Sequence, residues 1–146
     1  VTPIAIPLQA GLTASDIEHR AARVRFDADG SGLPREWTWI KPNAAWLVYD
    51  QRGTGKPDSA LQLFGNVTFW CFWDNGYEAL RSLDNNGDGK LADGELQHLA
   101  LWQDTNSNGI ADAGEVKPLA AHGIVALSCE YKIDTAHQDR IPFSAA

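Results

Sequence analysis

Apolar residues recur along this chain with two periods, and each change of period predicts a change of element. Near the start, Ser15-Asp16-Ile17-Glu18 has the spacing of a capping box, which predicts a short helix from Asp16 to about Arg23. Trp37 and Trp39 alternate with Glu36 and Thr38, and residues 45–49 form a short apolar run; both stretches predict strands. Over residues 76–83, Tyr77, Leu80 and Leu83 fall on one side of a helix. Leu96, Leu99 and Trp102 recur at i, i+3 and i+6, which predicts a second helix over 93–103. Pro118 and Gly123 bracket a short third helix. The alternation Val125, Leu127, Cys129, Tyr131, Ile133 predicts a strand over 124–133. The longest apolar cluster, Phe69-Trp70-Cys71-Phe72-Trp73, falls far short of the roughly 20 residues a membrane helix needs, so no membrane span is expected.

Composition narrows the classes. The chain has 146 residues, 44% hydrophobic, enough for one domain with a real core. Its net charge of −7, without clustered Lys or Arg, argues against nucleic acid as a partner. Methionine is absent, which predicts a processed or excised piece of a longer product. Cys71 and Cys129 allow one disulfide or two buried free thiols; the two are expected to lie close in space, one just before the 76–83 helix and the other on the inward side of the 124–133 strand, and a disulfide would favour export.

The charge is concentrated. Residues 84–115 hold seven acids and one base, which is −6 of the total −7. A disordered acidic run would lack the interleaved Leu91, Leu96, Leu99, Leu101 and Trp102. Residues 84–95, Asp-Asn-Asn-Gly-Asp-Gly-Lys-Leu-Ala-Asp-Gly-Glu, place oxygen-bearing side chains at positions 1, 3 and 5, Gly at 6 and Glu at 12 of a calcium loop. Asp84, Asn86, Asp88, the Lys90 carbonyl and a bidentate Glu95 are the candidate ligands, with water at position 9. Residues 104–115 repeat the grammar through Asp104, Asn106, Asn108, the Ile110 carbonyl, Asp112 and Glu115. Hard oxygen donors at this spacing wrap a chain around one Ca2+.

Two further stretches share the rhythm. From Asp27, the pattern fits at Asp27, Asp29, Ser31 and Gly32 and then departs, with Pro34 at position 8 and Thr38 at position 12; Asp27, Asp29, Ser31, Leu33 and Glu36 are a weak third candidate site. From Asp50, Arg52 stands at position 3, where a cation would repel calcium, and the stretch is read as a turn. The two full loops start 20 residues apart, so one helix over 93–103 is expected to serve both and to hold the ions about 15 Å apart as a brace. The expected fold class is α+β: short helices around two EF-hand-type calcium loops sharing one helix, packed with a small antiparallel β-sheet.

Over residues 24–133 the chain resembles the EF-hand-like calcium-binding modules of exported bacterial proteins, including those related to the self-processing module of RTX-type toxins. The resemblance rests on Val24-Arg25-Phe26-Asp27-Ala28-Asp29-Gly30, Trp46-Leu47-Val48-Tyr49-Asp50, Leu63-Phe64-Gly65, Asn75-Gly76-Tyr77-Glu78-Ala79-Leu80, Leu83-Asp84-Asn85-Asn86-Gly87-Asp88-Gly89, Leu101-Trp102-Gln103-Asp104 and Gly123-Ile124. In the toxin branch, calcium triggers cleavage at an Asp-Pro bond just before the first Asp-rich loop. This chain has no Asp-Pro dipeptide, and Arg23-Val24-Arg25-Phe26 stands at that place. The resemblance therefore implies calcium and a secreted, periplasmic or cell-surface location rather than self-cleavage. It divides the chain into an N-terminal segment with a short helix (1–23), a calcium-binding domain (24–133) and a C-terminal tail (134–146).

The leading functional expectation is a non-catalytic, calcium-stabilised structural module. Neither Gly-x-Ser-x-Gly, His-Glu-x-x-His nor a local Cys-His pairing occurs, and His19, His98, His122 and His137 are scattered. The alternative is an adhesin-type module recognising a protein or glycan partner through exposed Trp. Of the six tryptophans, Trp37, Trp39, Trp46 and Trp102 sit in periodic segments and are expected in the core, leaving Trp70 and Trp73 for such a role.

Overall fold

The computed structural model describes residues 3–131 and the backbone of Ser144–Ala145. In chain order the elements are β1 (Ile4–Pro7), α1 (Ala14–Ile17), β2 (Glu18–Phe26), β3 (Arg35–Ile40), β4 (Ala44–Tyr49), α2 (Gly76–Arg81), β5 (Lys90–Ala92), β6 (Leu99–Trp102), β7 (Val116–Pro118), β8 (Ala126–Ser128) and β9 (Ser144–Ala145). Short 3-10 turns occupy Thr68–Trp70, Asp93–Leu96 and Leu119–His122. One sheet has the order β7-β6-β4-β1-β9; β2 with β3 and β5 with β8 form two-stranded sheets. Every pairing is antiparallel except β1 with β9.

The centre of the large sheet explains its own sequence. A strand buried on both faces reads as a continuous apolar run, because successive side chains enter opposite cores. Along β4, Ala44, Trp46 and Val48 enter a core formed with the β2–β3 hairpin, while Ala45 and Leu47 enter a second core with α2 and Phe64. Along β6, Ala100 and Trp102 join the first core, and Leu99 and Leu101 the second. The first core is aromatic at its heart. The Trp39 ring centroid lies 5.4, 5.2 and 5.6 Å from those of Phe26, Trp46 and Trp102, in edge-on contacts. β1, from the segment that sequence sets apart as N-terminal, pairs with β4 inside the large sheet.

The fold differs from the α+β arrangement expected from sequence: it is mostly β, with two short α-helices among the described residues. The expected helix over 93–103 is absent. Asp93–Leu96 makes one 3-10 turn, Gln97 is extended, and His98, at a φ of 71°, turns the chain into β6. Leu96, Leu99 and Trp102 fit a helical period, but all four residues of Leu99–Trp102 are buried, and only a strand delivers consecutive side chains to two cores. With that helix gone, there is no brace between the two loops. Nor do the loops pair with each other as in an EF-hand pair: β5, from the first loop, pairs with β8.

The expected Asp16–Arg23 helix is also mostly strand. Its capping box lies two residues earlier, Thr13 with Asp16, and β2 begins at Glu18. The 76–83 helix is present as α2, capped by the Asn75 side chain, which accepts from the Tyr77 and Glu78 N–H groups at 2.9 and 3.2 Å. Gly76 is required there, since a Cβ would lie 2.0 Å from the Phe64 carbonyl oxygen. The third helix is a 3-10 turn between Pro118 and Gly123, the latter at a φ of 71°. The 124–133 strand shrinks to β8; residues 132 and 133, and the tail apart from the backbone of 144–145, lie outside the described residues. Both cysteines are free, Cys71 exposed and Cys129 buried, so no disulfide supports export.

Candidate functional site

Both twelve-residue loops close on their own backbone. In the first, Asp84 Oδ1 accepts from Gly87 N–H at 2.7 Å and Oδ2 from Gly89 N–H at 2.9 Å. Asn86 Oδ1 accepts from Asp88 N–H, and Asp88 Oδ1 from Lys90 N–H. Glu95 reaches back across the loop: Oε1 accepts from Asn85 and Asn86 N–H at 2.8 and 3.3 Å, and Oε2 from Ala92 N–H at 3.2 Å. Positions 1, 3, 5 and 12 therefore converge on one short segment at the surface, where an open depression is lined by Asn86, Asp88 and Glu95 among others.

The second loop has the same internal scheme but a different setting. Asp104 Oδ1 accepts from Asn108 N–H at 3.2 Å and Oδ2 from Gly109 N–H at 2.8 Å. Asp112 Oδ2 accepts from the side-chain amides of both Asn106 and Asn108 at 2.9 Å. Glu115 Oε1 accepts from Thr105 N–H and Oγ–H at 2.9 and 2.7 Å, and Oε2 from Asp112 N–H at 3.1 Å. Unlike their counterparts Asp84 and Glu95, Asp104 and Glu115 are buried, at 2% and 7% exposure. Each is held by a core tryptophan: Trp39 Nε1–H donates to Asp104 Oδ2 at 2.8 Å, and Trp102 Nε1–H to Glu115 Oε2 at 3.4 Å. The loop is thus stitched into the aromatic core at its first and twelfth positions. Gly109 packs onto β2, where a Cβ would stand 3.0 Å from Val24 Cβ.

These bonds favour the ionised carboxylates. Asp84 is held below the usual carboxylate range, chiefly by the Gly89 N–H and further by Gly87. Asp112 is lowered by the Asn106 and Asn108 side chains. For Glu115, burial pushes the value up, but donation from Thr105, Asp112 and Trp102 outweighs it and the net direction is down.

The donor set fits a hard cation. An ionised carboxylate has about four lone-pair sites, so the N–H bonds at Asp84, Asp104, Glu95 and Glu115 do not exhaust their capacity to coordinate. The Lys90 and Ile110 carbonyls at position 7 complete the oxygen set. Among the described residues, no three of His, Cys, Asp and Glu form a ready-made metal cluster. In loops of this kind much of the donor set is Asn and backbone carbonyl, and the carboxylates are spread through twelve residues.

The weaker candidates divide. Asp27 directly follows β2 and is buried at 7% exposure; its Oδ2 accepts from Ser59 Oγ–H at 2.8 Å. Asp29 Oδ1 accepts from Ser31 N–H, and Ser31 Oγ from Leu33 N–H. Glu36 lies outside this loop, exposed on β3 and in register with Arg25. The Asp50 stretch is a turn, its carboxylate accepting from Thr54 and Gly55 N–H at 2.9 and 2.8 Å. Sequence reasoning missed Trp39 and Trp102 as supports of the second loop. A Trp two residues before the loop's first Asp was the available signal for one of them; the other comes from 65 residues away.

No helix among the described residues is long and apolar enough to cross a membrane. The iron-regulated protein FrpA of Neisseria meningitidis serogroup C is 36% identical over 135 residues, a match covering 86% of this chain and 12% of that protein. The chain therefore spans only a small part of the relative's length. Residues 9–143, which include both full loops and the strands that carry them, match the SPM domain, and the chain belongs to the SPM domain family.

Proposed function

We propose that this chain is a calcium-binding, calcium-stabilised structural module of an exported protein, with one Ca2+ in each loop and no catalytic role. The observation that supports it most is the repeated oxygen pattern, Asp84 to Glu95 and Asp104 to Glu115, closed in both copies by the position-1 and position-12 carboxylates. Bound calcium neutralises a segment carrying −6 and binds only the folded arrangement of these oxygens. Each site adds about 2.7 kcal/mol of stability when calcium is a hundred times its dissociation constant. Three ligand carboxylates per loop place affinity toward the weaker, extracellular end of the known range. The test is thermal unfolding in chelator, magnesium and calcium: a rise in melting temperature specific to calcium supports the reading, and no change refutes it.

A second reading, recognition of a protein or glycan partner, draws on one loop. Trp70 and Phe72 are 63% and 88% exposed, and Phe69 and Trp70 take φ values of 60° and 58° that L residues rarely adopt. Trp73, by contrast, is half-buried and donates its Nε1–H to the Thr68 carbonyl at 2.8 Å. Tryptophan fluorescence of wild type and Trp70→Phe against a glycan panel tests it: a change confined to wild type supports recognition, and identical flat titrations refute it.

A further inference from the structure

Asparagine is followed by glycine at three places, Asn75-Gly76, Asn86-Gly87 and Asn108-Gly109. A glycine has no side chain to shield its nitrogen, so that nitrogen can reach the preceding amide carbon wherever the fold leaves the two free to approach. Two of the three pairs are locked. Asn75 Oδ1 caps α2, and Gly76 is buried against the Phe64 carbonyl. Asn108 is pinned at both ends of its amide: Nδ2–H donates to Asp112 Oδ2 at 2.9 Å and Oδ1 accepts from Ile110 N–H at 2.9 Å. Gly109 is buried against Val24. Asn86 and Gly87 are both exposed, and a Cβ on Gly87 would meet nothing within 4 Å. Among the described residues, no group accepts from the Asn86 amide nitrogen.

The groups around Asn86 are those an amide displacement needs. Gly87 N–H donates to Asp84 Oδ1 at 2.7 Å, so a carboxylate is placed to take the proton of the attacking nitrogen. Asp88 N–H donates to Asn86 Oδ1 at 3.0 Å, where negative charge develops as the carbon is attacked. We propose that Asn86-Gly87 is a site of self-deamidation, at which the folded chain converts Asn86 to aspartate and isoaspartate with loss of ammonia. The Gly87 nitrogen forms a bond to Asn86 Cγ while its proton passes to Asp84 Oδ1. The Cγ–Nδ2 bond then breaks and ammonia leaves with that proton, closing a succinimide ring. Solvent water opens the ring. Cleavage of the new N–Cγ bond gives aspartate; cleavage of the original peptide bond gives isoaspartate, whose main chain runs through Cβ and Cγ. Either product adds a carboxylate to a segment that already carries −6. Isoaspartate also inserts a methylene between the Asn86 N–H, bound to Glu95 at 3.3 Å, and the Gly87 N–H, bound to Asp84, and so loosens closure of the loop. These steps involve only the chain and water, and they stand or fall separately from calcium binding.

The experiment is incubation of the full chain at neutral pH in chelator, with peptide mapping by mass spectrometry and fragmentation that separates aspartate from isoaspartate. Asn86 is expected to convert at least about tenfold faster than Asn75 and Asn108, which react only through local opening. In concentrated urea, where that protection is lost, the three rates are expected to agree within about threefold. Asp84→Asn is expected to slow conversion of Asn86 at least about tenfold in the folded chain and to leave the rates in urea unchanged. A merely structural role for Asp84 would do the reverse, because a loosened loop deamidates faster. Equal rates at the three pairs in the folded chain, conversion of Asn86 in urea alone, or an Asp84→Asn rate at or above that of wild type would overturn the proposal.

Discussion

Asp104→Asn is the sharpest probe of the difference between the two loops. The substitution keeps size and shape but removes a charge that accepts three N–H bonds, from Trp39, Gly109 and Asn108. Asn offers one carbonyl oxygen, so if it keeps Trp39 and Gly109, its amide must face the Asn108 N–H, donor against donor. The Asn108 N–H also reaches Asn106 Oδ1 at 3.2 Å, so the cost falls on the new amide, which at 2% exposure meets a donor where it needs an acceptor. One buried bond to a charged acceptor is lost and two become neutral, which together cost about 2–3 kcal/mol. Asp84→Asn is the matched control. It removes the same position-1 charge and, since Asn keeps one carbonyl oxygen, one of the two N–H bonds from Gly87 and Gly89, but Asp84 is only partly buried and solvent replaces the partner, so about 0.5–1 kcal/mol is expected. Urea unfolding in chelator, followed by far-ultraviolet circular dichroism, measures both without any contribution from metal. A difference of about 1.5 kcal/mol appears as a midpoint shift of roughly 1 M for a slope near 1.5 kcal/mol/M. A double-mutant cycle with Trp39→Phe assigns the coupling to this pair. Equal costs at Asp104 and Asp84, or no coupling with Trp39, would refute the claim that the second loop is part of the core.

Three further outcomes follow from the same geometry. Glu115 has its folded pKa depressed, so its contribution to stability is complete above the unfolded glutamate range of about 4.3 and is lost as pH falls through the lower folded value; Glu115→Gln should flatten the acid limb of a stability-versus-pH curve measured by chemical denaturation in chelator. Gly109→Ala and Gly87→Ala both force alanine into a left-handed conformation, at φ values of 72° and 74°, but only Gly109 also meets Val24 and the Arg25 carbonyl; overpacking adds about 1 kcal/mol or more there, read as the lower melting temperature of the pair. Trp70→Ala and Phe72→Ala, at exposed positions, should change unfolding free energy by no more than about 0.5 kcal/mol each, and a larger loss in urea denaturation would mean that this loop is structural.

The parts of the fold legible in sequence were those where local pattern and tertiary need agree. Trp37 and Trp39 in β3, the apolar run of β4, and Tyr77 and Leu80 in α2 all fall where alternation, length and helical period place them. The failures share a cause. Residues 96–102 satisfy a helical period and a two-sided strand equally well, and the choice is made by β4, which offers cores on both sides of the β6 position. Residues 18–23 read as helix because Ser15 and Glu18 have capping-box spacing, whereas the box that forms is Thr13 with Asp16, and a capping box says nothing about a helix's length. The closed form of the two loops was legible because the bonds that close them lie inside twelve residues. Their unequal burial was not, since it depends on Trp39 and on contact with β2, neither of which is near in sequence.

Isothermal titration with calcium, on wild type and on the Glu95→Gln/Glu115→Gln double variant, tests the central claim most directly. Each glutamate closes its loop and, on the proposed reading, gives two oxygens to its ion, so replacing both charges should weaken both sites at least about tenfold, equivalent to about 1.4 kcal/mol per site. The account predicts two saturable calcium-binding events in wild type that are both weakened in the double variant. Titrations with no saturable heat in wild type, or with the same stoichiometry and affinity in both proteins, would contradict it.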